Sequence, residues 1–176
     1  AEAEASDELC LVYEYAGHGG LDKMLKDDGK AGLLTWPRRL RILHQIAKAL
    51  NFMHKRFAEP AFHRDVKSAN VVVTDDLTAK VIDCGLSKYV PSAAEAPGAF
   101  SVTQTPREVR FGTPQYMCND YFMSGIYDAK SEIFSFGVVV AEVLTGRLCM
   151  QSTDARPLVN FSYKKTIDDT DADARA

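Results

Sequence analysis

The stretch His63-Arg64-Asp65-Val66-Lys67-Ser68-Ala69-Asn70 runs directly into Val71-Val72-Val73, and Asp83-Cys84-Gly85 begins thirteen positions after the asparagine. The polar segment 75–78 separates two runs of mostly β-branched residues. A polar break of this length between such runs predicts a β-hairpin. The hairpin would set the distance between the polar side chains of the first stretch and the aspartate of the last.

The polar residues at the ends of this hairpin have the chemistry that phosphoryl transfer from Mg-ATP to a hydroxyl requires. Asp65 can accept the hydroxyl proton, and Lys67 can neutralise charge on the moving phosphoryl group. Asn70 and Asp83 offer hard oxygen atoms to Mg2+. The alternative is a buried histidine beside a salt-bridged Arg-Asp turn, which leaves the downstream spacing unexplained.

The pattern H-R-D-x-K-x-x-N followed by D-x-G resembles the catalytic core of eukaryotic protein kinases. Lys67, two positions after Asp65, resembles the Ser/Thr-directed form of that core. The pattern LVYEY-x-x-x-G-x-L, which begins at Leu11, resembles the receptor-like and Pelle-like kinases of the tyrosine kinase-like group. The resemblance implies an α+β fold, a mainly helical kinase large lobe whose short β-hairpin carries the catalytic loop, here residues 63–70. It also implies an ATP- and Mg2+-dependent kinase that phosphorylates Ser/Thr hydroxyls of a protein substrate.

A nucleotide site is also implied by the resemblance. Tyr13 would lie at the back of the adenine pocket, and the backbone of Glu14 and Ala16 would hydrogen-bond the purine edge. Val72 would lie under the adenine, although an ordinary core valine is an equally good interpretation. The implied residues on the phosphate side are Lys67, Asn70 and Asp83, the last two as metal ligands.

Residues 84–111 read as a loop with several prolines and hydroxyl residues, and FGTPQYM at 111–117 resembles the end of a kinase activation segment. Thr113 would then contact the catalytic aspartate, and Arg64 would bind a phosphate on this segment. Three hydroxyl residues are candidate phosphate acceptors: Ser101, Thr103 and Thr105. Glu108 falls near the usual phosphosite, so a carboxylate could substitute there, with an ordinary exposed glutamate as the alternative.

Three departures from the family pattern limit what the resemblance implies. Cys84 replaces the phenylalanine of the D-F-G triplet, and at a buried position that change would cost roughly 3–5 kcal/mol. Cys118-Asn119-Asp120 replaces A-P-E and keeps a carboxylate on a shorter stem. Glu132 replaces the aspartate that usually anchors the catalytic loop from the central helix. Charge is therefore retained at both acidic positions.

We expect three regions: an acidic stub at 1–8, a partial kinase domain at 9–150, and a poorly assigned or disordered tail at 151–176. The glycine-rich loop, the V-A-I-K lysine and its glutamate partner are not recognisable. The small lobe is therefore expected to be largely absent, and the isolated chain to have negligible activity. The alternative function is a pseudokinase or protein-interaction module built on a truncated lobe.

Composition narrows the class further. The 176 residues, 46% hydrophobic and 26% charged, fit one globular domain or one large lobe. A net charge of -3 offers no general attraction for nucleic acid. The most apolar stretch, 133–144, predicts a buried helix too short to span a bilayer, so we expect no membrane insertion within this chain. Four widely spaced cysteines favour a reducing compartment, and we expect a cytoplasmic location, either alone or as the cytoplasmic part of a longer receptor.

Periodicity predicts the remaining elements. The apolar run 9–15 predicts a strand, and 21–26 predicts a short helix. The segment 36–57 predicts a long helix, on which His44 and His54 are interpreted as surface or packing residues. Its expected core positions are Leu40, Leu43, Ile46, Ala47, Leu50 and Met53. The segment 121–147 predicts the central buried helix, which stops at Gly146.

Overall fold

The structure, a computed structural model, describes residues 10, 12–57, 59–89, 101–103 and 110–149. Its strands are β1 (Gly19–Gly20), β2 (Ala61–Phe62), β3 (Val71–Val73), β4 (Ala79–Val81), β5 (Lys88–Tyr89), β6 (Ser101–Thr103) and β7 (Ile126–Asp128). Its α-helices are α1 (Leu21–Lys26), α2 (Asp28–Ala31), α3 (Trp36–Lys55), α4 (Asn119–Ser124) and α5 (Ala129–Thr145). Three 3-10 turns lie at Ser68–Asn70, Cys84–Leu86 and Pro114–Tyr116. Helices dominate, and the sheets are small, so the predicted α+β fold class is confirmed.

The long helix α3 supplies one wall of the core. Pro37 lies in its first turn, where the missing backbone N–H has no intrahelical acceptor to lose. The buried stripe runs through Ile42, Ile46 and Leu50. Leu40, expected in the core, is 47% exposed because it lies two residues, roughly 200° of rotation, from the fully buried Ile42. The helix is therefore confirmed, and its predicted face is wrong at this position.

The second wall is α5, which is buried along a stripe of mixed polarity. Val138, Val139 and Val143 join the core, and Glu132 and Glu142 on the same helix are also buried. The apolar residues at the two ends of the predicted stretch are exposed, Ile133 at 61% and Leu144 at 39%. The predicted buried helix is confirmed along one face, whereas Ile133 and Leu144 turn outward with the helical period. Its predicted start at 121 is wrong, because α4 ends at Ser124 and β7 covers Ile126–Asp128 before α5 begins. Gly146 ends the helix with a φ of 69°, as predicted.

The predicted hairpin is present as β3 and β4. Val71 pairs with Val81 and Val73 with Ala79 in an antiparallel ladder. The strand β1 pairs with the outer edge of β3, which completes a three-stranded sheet in the order β1-β3-β4. Gln45 on α3 fixes the other edge, because its side-chain oxygen accepts a hydrogen bond from the Ala79 N–H at 2.9 Å. The two ends of the hairpin are thereby held against the helical core.

The strand predicted at 9–15 does not form in the described part of that run. Residues 12–16 have no regular structure, with Val12 95% exposed and Tyr13 77% exposed. An extended segment becomes a strand only when another strand satisfies its backbone groups, and within the described ranges none pairs with 12–16. The chain pairs instead at β1, which lies beyond the predicted run. Leu9 and Leu11 lie outside the described residues.

Within the ranges that the structure covers, no helix combines the length and the hydropathy that a bilayer crossing needs.

We predict that the start of α5 depends on its capping box. The Asp128 carboxylate accepts the Ser131 N–H at 2.9 Å, and the Ser131 hydroxyl faces the Asp128 N–H at 3.3 Å. Asp128→Ala should lower the free energy of unfolding by about 1 kcal/mol. Chemical denaturation measures the loss. Lys130→Ala, at an exposed position in the same turn, is the control, and an equal loss in both variants would contradict the prediction.

Candidate active site

Asp65 lies at the centre of a hydrogen-bond network. Its Oδ2 accepts from Lys67 Nζ at 2.7 Å and from the Asn70 amide at 3.0 Å, and its Oδ1 accepts from the Thr113 hydroxyl at 2.7 Å. Lys67 Nζ also donates to Thr113 Oγ1 at 2.9 Å. The structure therefore brings together the four residues predicted for catalysis. Their catalytic roles stay predictions.

The network keeps the Asp65 carboxylate ionised. Burial is the largest single influence on the pKa of Asp65 and raises it. Hydrogen bonds from Lys67 and Thr113, the charge of Lys67 and the hydrogen bond from Asn70 together outweigh burial. The pKa therefore lies below the ordinary value of 3.8, and the side chain is an acceptor at neutral pH.

His63 connects the segment that carries Asp65 to the end of the hairpin. It is fully buried, with Nε2 2.9 Å from the Ile82 carbonyl and Nδ1 3.3 Å from the Asp65 N–H. These partners assign the proton to Nε2, because a backbone N–H can only donate and a carbonyl can only accept. The histidine thus connects the catalytic loop to the far end of the hairpin.

Glu132 anchors the same loop from α5. Its Oε1 accepts the His63 N–H at 2.6 Å and the Arg64 N–H at 3.2 Å. Its Oε2 lies 2.5 Å from His54 Nε2 on α3. The departure from aspartate at this position therefore keeps the anchoring contact, and it places a histidine that we interpreted as a surface or packing residue against the carboxylate.

Thr113 reaches Asp65 because Gly112 lets the chain pass close to the catalytic loop. Gly112 has a φ of +113°, and a Cβ there would lie 2.7 Å from the Arg64 carbonyl oxygen. A side chain at this position would be strained by its backbone and would collide with the loop. The 3-10 turn that follows, Pro114–Tyr116, then leads into α4.

The hairpin places Asp83 directly after a residue that is hydrogen-bonded to Asn70. Both hydrogen bonds of the Asn70 amide nitrogen go to Asp65, so the predicted metal-ligand role would fall to the amide oxygen. The Ile82 N–H donates to the Asn70 carbonyl at 2.9 Å, so Asp83 follows directly on a residue bonded to Asn70. Asp83 is exposed, with left-handed φ and ψ of 64° and 58°. One amide oxygen and one carboxylate fit Mg2+, which typically uses one or two carboxylates together with substrate phosphates and water.

The other two departures from the family pattern lie at mostly exposed positions, with only Cys118 half-buried. Cys84 is exposed in the Cys84–Leu86 turn. The loss of stability that we expected for a small residue depended on burial of this position, so it does not apply. Asp120 is exposed in the first turn of α4. Cys118 caps that helix by accepting the Tyr121 N–H at 3.4 Å.

The residues predicted for the adenine lie apart from this network. Tyr13 is exposed, and Glu14 forms an ion pair with Lys80 whose two side chains are 65% and 42% exposed. The Ala16 carbonyl accepts the Gly19 N–H at 3.0 Å, and Val72 is half-buried in β3. In the described residues, no hydrogen bond joins Tyr13, Glu14 or Ala16 to the Asp65 network. Their nucleotide roles stay predictions.

The Arg64 guanidinium lies beside Phe111, at the end of the predicted activation segment. Arg64 has a φ of 70°, and its guanidinium lies 5.0 Å from the centre of the Phe111 ring and 6.0 Å from that of Tyr127. Two of its nitrogens, Nε and Nη2, are buried and have no hydrogen-bond acceptor within the described part of the chain. A buried donor without an acceptor is costly, so the predicted binding of a phosphate or carboxylate fits this site.

The candidate acceptors of a phosphate are only partly described. Ser101 and Thr103 lie in β6, which pairs with β7 in the register Ser101 to Asp128 and Thr103 to Ile126. Thr105 and Glu108 lie outside the described residues. The proposal that Glu108 substitutes for a phosphate therefore stays a prediction.

Sequence reasoning missed a second buried network, between Tyr116 and α5. The Tyr116 hydroxyl donates to Glu142 Oε1 at 2.8 Å and lies 3.3 Å from the Ser68 hydroxyl. The Ser135 hydroxyl donates to the Tyr116 carbonyl at 2.6 Å. The available signal was an acidic residue inside an apolar helical stretch, which is rarely buried without partners. This network ties the catalytic loop and the segment after Thr113 to one helix.

Comparisons of the sequence with known proteins show the family to which the chain is similar. A family model described as the protein kinase domain matches residues 2–173. A wall-associated receptor kinase-like protein of Arabidopsis thaliana is 41% identical over 136 residues, which cover 77% of this chain and 17% of that protein. A probable LRR receptor-like serine/threonine-protein kinase of the same plant is 34% identical over 149 residues, 85% of this chain and 16% of that protein. A cysteine-rich receptor-like protein kinase is 33% identical over 165 residues, 90% and 23% respectively. The chain thus spans less than a quarter of the length of these relatives.

We predict that Gly112 is required for the close approach of Thr113. Gly112→Ala should lower the free energy of unfolding by about 1–2 kcal/mol or more, because of its positive φ and its contact with the Arg64 carbonyl. Gly137→Ala is the matched control, since a Cβ there meets nothing within 4 Å. In the exposed turn of a helix that change should stabilise by up to about 1 kcal/mol. Denaturant titration distinguishes the two, and the same sign for both would refute the argument.

A second prediction follows from the lowered pKa of Asp65. A carboxyl group with a folded pKa below its unfolded value of 3.8 stabilises the fold above that value. The contribution is lost as the pH falls through the folded pKa. We expect the stability difference between wild type and Asp65→Asn to shrink as the pH is lowered below 3.8. Unfolding measured at a series of pH values provides the test, and a constant or growing difference would contradict it.

Proposed function

The chain belongs to the protein kinase family, and on that premise we propose that it supplies the catalytic core of an ATP-dependent protein serine/threonine kinase. The observation that carries this proposal is the position of Asp65, whose carboxylate is held by Lys67, Asn70 and Thr113 at once. A carboxylate held in this way, ionised and in a fixed orientation, is suited to accept the proton of a hydroxyl.

The proposed reaction transfers the γ-phosphoryl group of ATP to a protein hydroxyl. The hydroxyl oxygen forms a bond to the γ-phosphorus, its proton passes to the Asp65 carboxylate, and the bond to the β-γ bridging oxygen breaks to release ADP. Lys67 Nζ, 2.7 Å from Asp65, adds positive charge beside the moving group. Asn70 and Asp83 would hold Mg2+, which supplies charge neutralisation on the phosphates when it is bound.

Serine and threonine are proposed as the acceptors because of Lys67. Its ammonium lies between Asp65 and Thr113, at 2.7 and 2.9 Å. A lysine two positions after the aspartate resembles the Ser/Thr-directed form of the kinase catalytic core, and this resemblance carries the choice. The name of one relative described above, a probable LRR receptor-like serine/threonine-protein kinase, supports the same choice.

The proposed substrate is therefore a protein with a Ser or Thr hydroxyl. A cytoplasmic site of action is proposed because the relatives are named as receptor-like kinases. Contacts with the adenine are also proposed, and they rest on the resemblance alone. The residues concerned are Tyr13, Glu14, Ala16 and Val72.

The second candidate, a pseudokinase or interaction module, is favoured by a different observation. Three large side chains in the segment 12–15 are strongly exposed: Val12 at 95%, Tyr13 at 77% and Tyr15 at 83%. Neighbouring exposed apolar residues of this kind commonly mark an interaction surface. A partner bound at this segment would not require the Asp65 network.

We predict that Asp65→Asn and Asp83→Asn each strongly lower phosphoryl transfer by a kinase domain that includes this chain. Loss of a positioned base typically lowers kcat by roughly 100- to 10,000-fold. The assay is transfer of labelled γ-phosphate from Mg-ATP to a protein substrate. Asp75→Asn, at an exposed position in the hairpin turn, is the matched control and should retain activity.

The same variants distinguish the two candidates. Full transfer activity in Asp65→Asn would contradict the assignment of the base. Absence of transfer in the wild-type protein, with a protein partner retained by all variants, would favour the interaction module.

A further inference from the structure

The long helix α3 carries cations and no acid. Its 20 residues include five lysine and arginine side chains and no aspartate or glutamate. The whole chain has a net charge of -3, so the residues outside α3 together carry -8. Solvated helix faces commonly carry both signs, because a glutamate and a lysine four residues apart stabilise each other. The composition of α3 is therefore unusual for a helix whose outer face meets only water.

Five polar residues form a line along the outer face of α3, and all five are exposed. We call them the basic stripe: Arg41, His44, Lys48, Asn51 and Lys55. Its three permanent cations are spaced seven residues apart. This spacing places them within about 40° of rotation and roughly 10.5 Å from one to the next along the helix. The stripe is therefore a straight row of charge roughly 21 Å long.

The cations of the basic stripe have no acidic partner in the described part of the chain. No carboxylate there forms an ion pair with Arg41, Lys48 or Lys55. Arg39, on the buried side of the same helix, shows the contrast, because its guanidinium donates to two backbone carbonyls. The charges of the stripe are available to carboxylates of another molecule.

Apolar side chains border the basic stripe on both sides. Leu40 is 47% exposed and Phe52 is 53% exposed, and the helical period places them on opposite sides of the row. The Phe52 ring meets Phe57 edge-to-face, with ring centres 5.8 Å apart, and Phe57 meets Tyr89 in the same way at 5.9 Å. A purely ionic partner would leave these side chains in water. A partner with apolar residues beside its carboxylates would bury them.

We propose that the basic stripe docks an acidic amphipathic helix of a partner protein. A helix with aspartate or glutamate at every seventh residue repeats its carboxylates at the same interval as the cations of the stripe. Apolar residues beside those carboxylates would cover Leu40 and Phe52. In the described residues, no hydrogen bond joins the stripe to the Asp65 network, so docking requires neither nucleotide nor phosphoryl transfer.

An anionic membrane and a nucleic acid fit this surface less well. Both present phosphate charge over an area wider than one helix, so they would also meet the acidic remainder of the chain. A narrow helix that lies along the stripe meets the cations alone.

The test measures binding of the full chain to a synthetic peptide helix by fluorescence anisotropy, at about 0.15 M salt. The probe is about 21 residues long and carries glutamate at every seventh residue, with leucine beside each glutamate. The control probe has glutamine in place of each glutamate. An exposed ion pair contributes at most about fivefold in affinity. With three pairs, the wild type should prefer the glutamate probe by roughly 10- to 100-fold.

Matched triple variants locate the site. The stripe variant combines Arg41→Ala, Lys48→Ala and Lys55→Ala, and it should lose the preference for the glutamate probe. The control variant removes one arginine and two lysines at exposed positions elsewhere: Lys26→Ala, Lys130→Ala and Arg147→Ala. It changes the net charge equally and should keep the preference, because charges beyond about 8 Å are largely screened at this salt concentration.

Two further variants complete the set. Leu40→Ala should weaken binding of both probes by the same factor, since both carry the leucines. Lys48→Ala alone, with an expected loss of at most about fivefold, replaces the stripe variant if that variant does not fold.

A glutamate preference that the stripe variant loses and the control variant keeps would support the proposal. Equal binding of the two probes by the wild type, or an equal loss in both triple variants, would overturn it. Binding to phosphatidylserine vesicles or to DNA, without a preference between the two peptides, would overturn it in favour of a membrane or a nucleic acid. The measurement uses no nucleotide, so its failure is distinct from failure of the kinase assay.

Discussion

The catalytic loop depends on one buried ionic contact, the acceptance of the His63 and Arg64 N–H groups by the Glu132 carboxylate. Carboxylates are expensive to bury, and removing the partners of a buried charge typically costs about 3–5 kcal/mol. Here the cost is offset by two backbone donors and an imidazole. Because Arg64 is fixed in this way, its carbonyl defines the space that only Gly112 can enter, and Thr113 then reaches Asp65. The positions of the base and of the threonine beside it therefore follow from a contact that touches neither.

The catalytic loop and the β3–β4 hairpin that follows it also hold backbone conformations that a free chain would avoid. Three non-glycine residues with positive φ are found among the described residues: Arg64, Leu77 and Asp83. Such conformations cost about 1–3 kcal/mol each and persist only where the surroundings determine them. Arg64 is fixed by Glu132, and Asp83 follows the hydrogen bond between Ile82 and Asn70. The strain lies on both sides of the hairpin, whose valines pack into the core and stabilise it.

Elements whose signal is local were predictable from the sequence. The hairpin, α3 and the stop at Gly146 each depend on residues within a few positions, and all three are present. The strand at 9–15 failed because its formation depends on a partner strand and not on its own residues. The polar contacts of α5 were not predictable for a related reason, since the partner of the buried Glu142 is Tyr116, which lies 26 positions away in the chain. In the site, Asp65, Lys67 and Asn70 followed from their spacing, whereas Thr113 followed only from resemblance.

The buried side of α5 carries two glutamates, and the directionality of their hydrogen bonds gives a physical reason for them. An all-apolar face would bury more hydrophobic area, but apolar contacts are not directional and allow a loop to shift by fractions of an ångström. Hydrogen bonds fix distance and angle, and a misplacement of about 1 Å can cost a catalytic site roughly 100-fold in rate. Glu132 fixes the start of the catalytic loop, and Glu142, through Tyr116, contacts Ser68 within it. Both ends of the loop are thus held by hydrogen bonds that begin on one helix. The carboxylate of Asp65, which lies between them, therefore has little freedom to move.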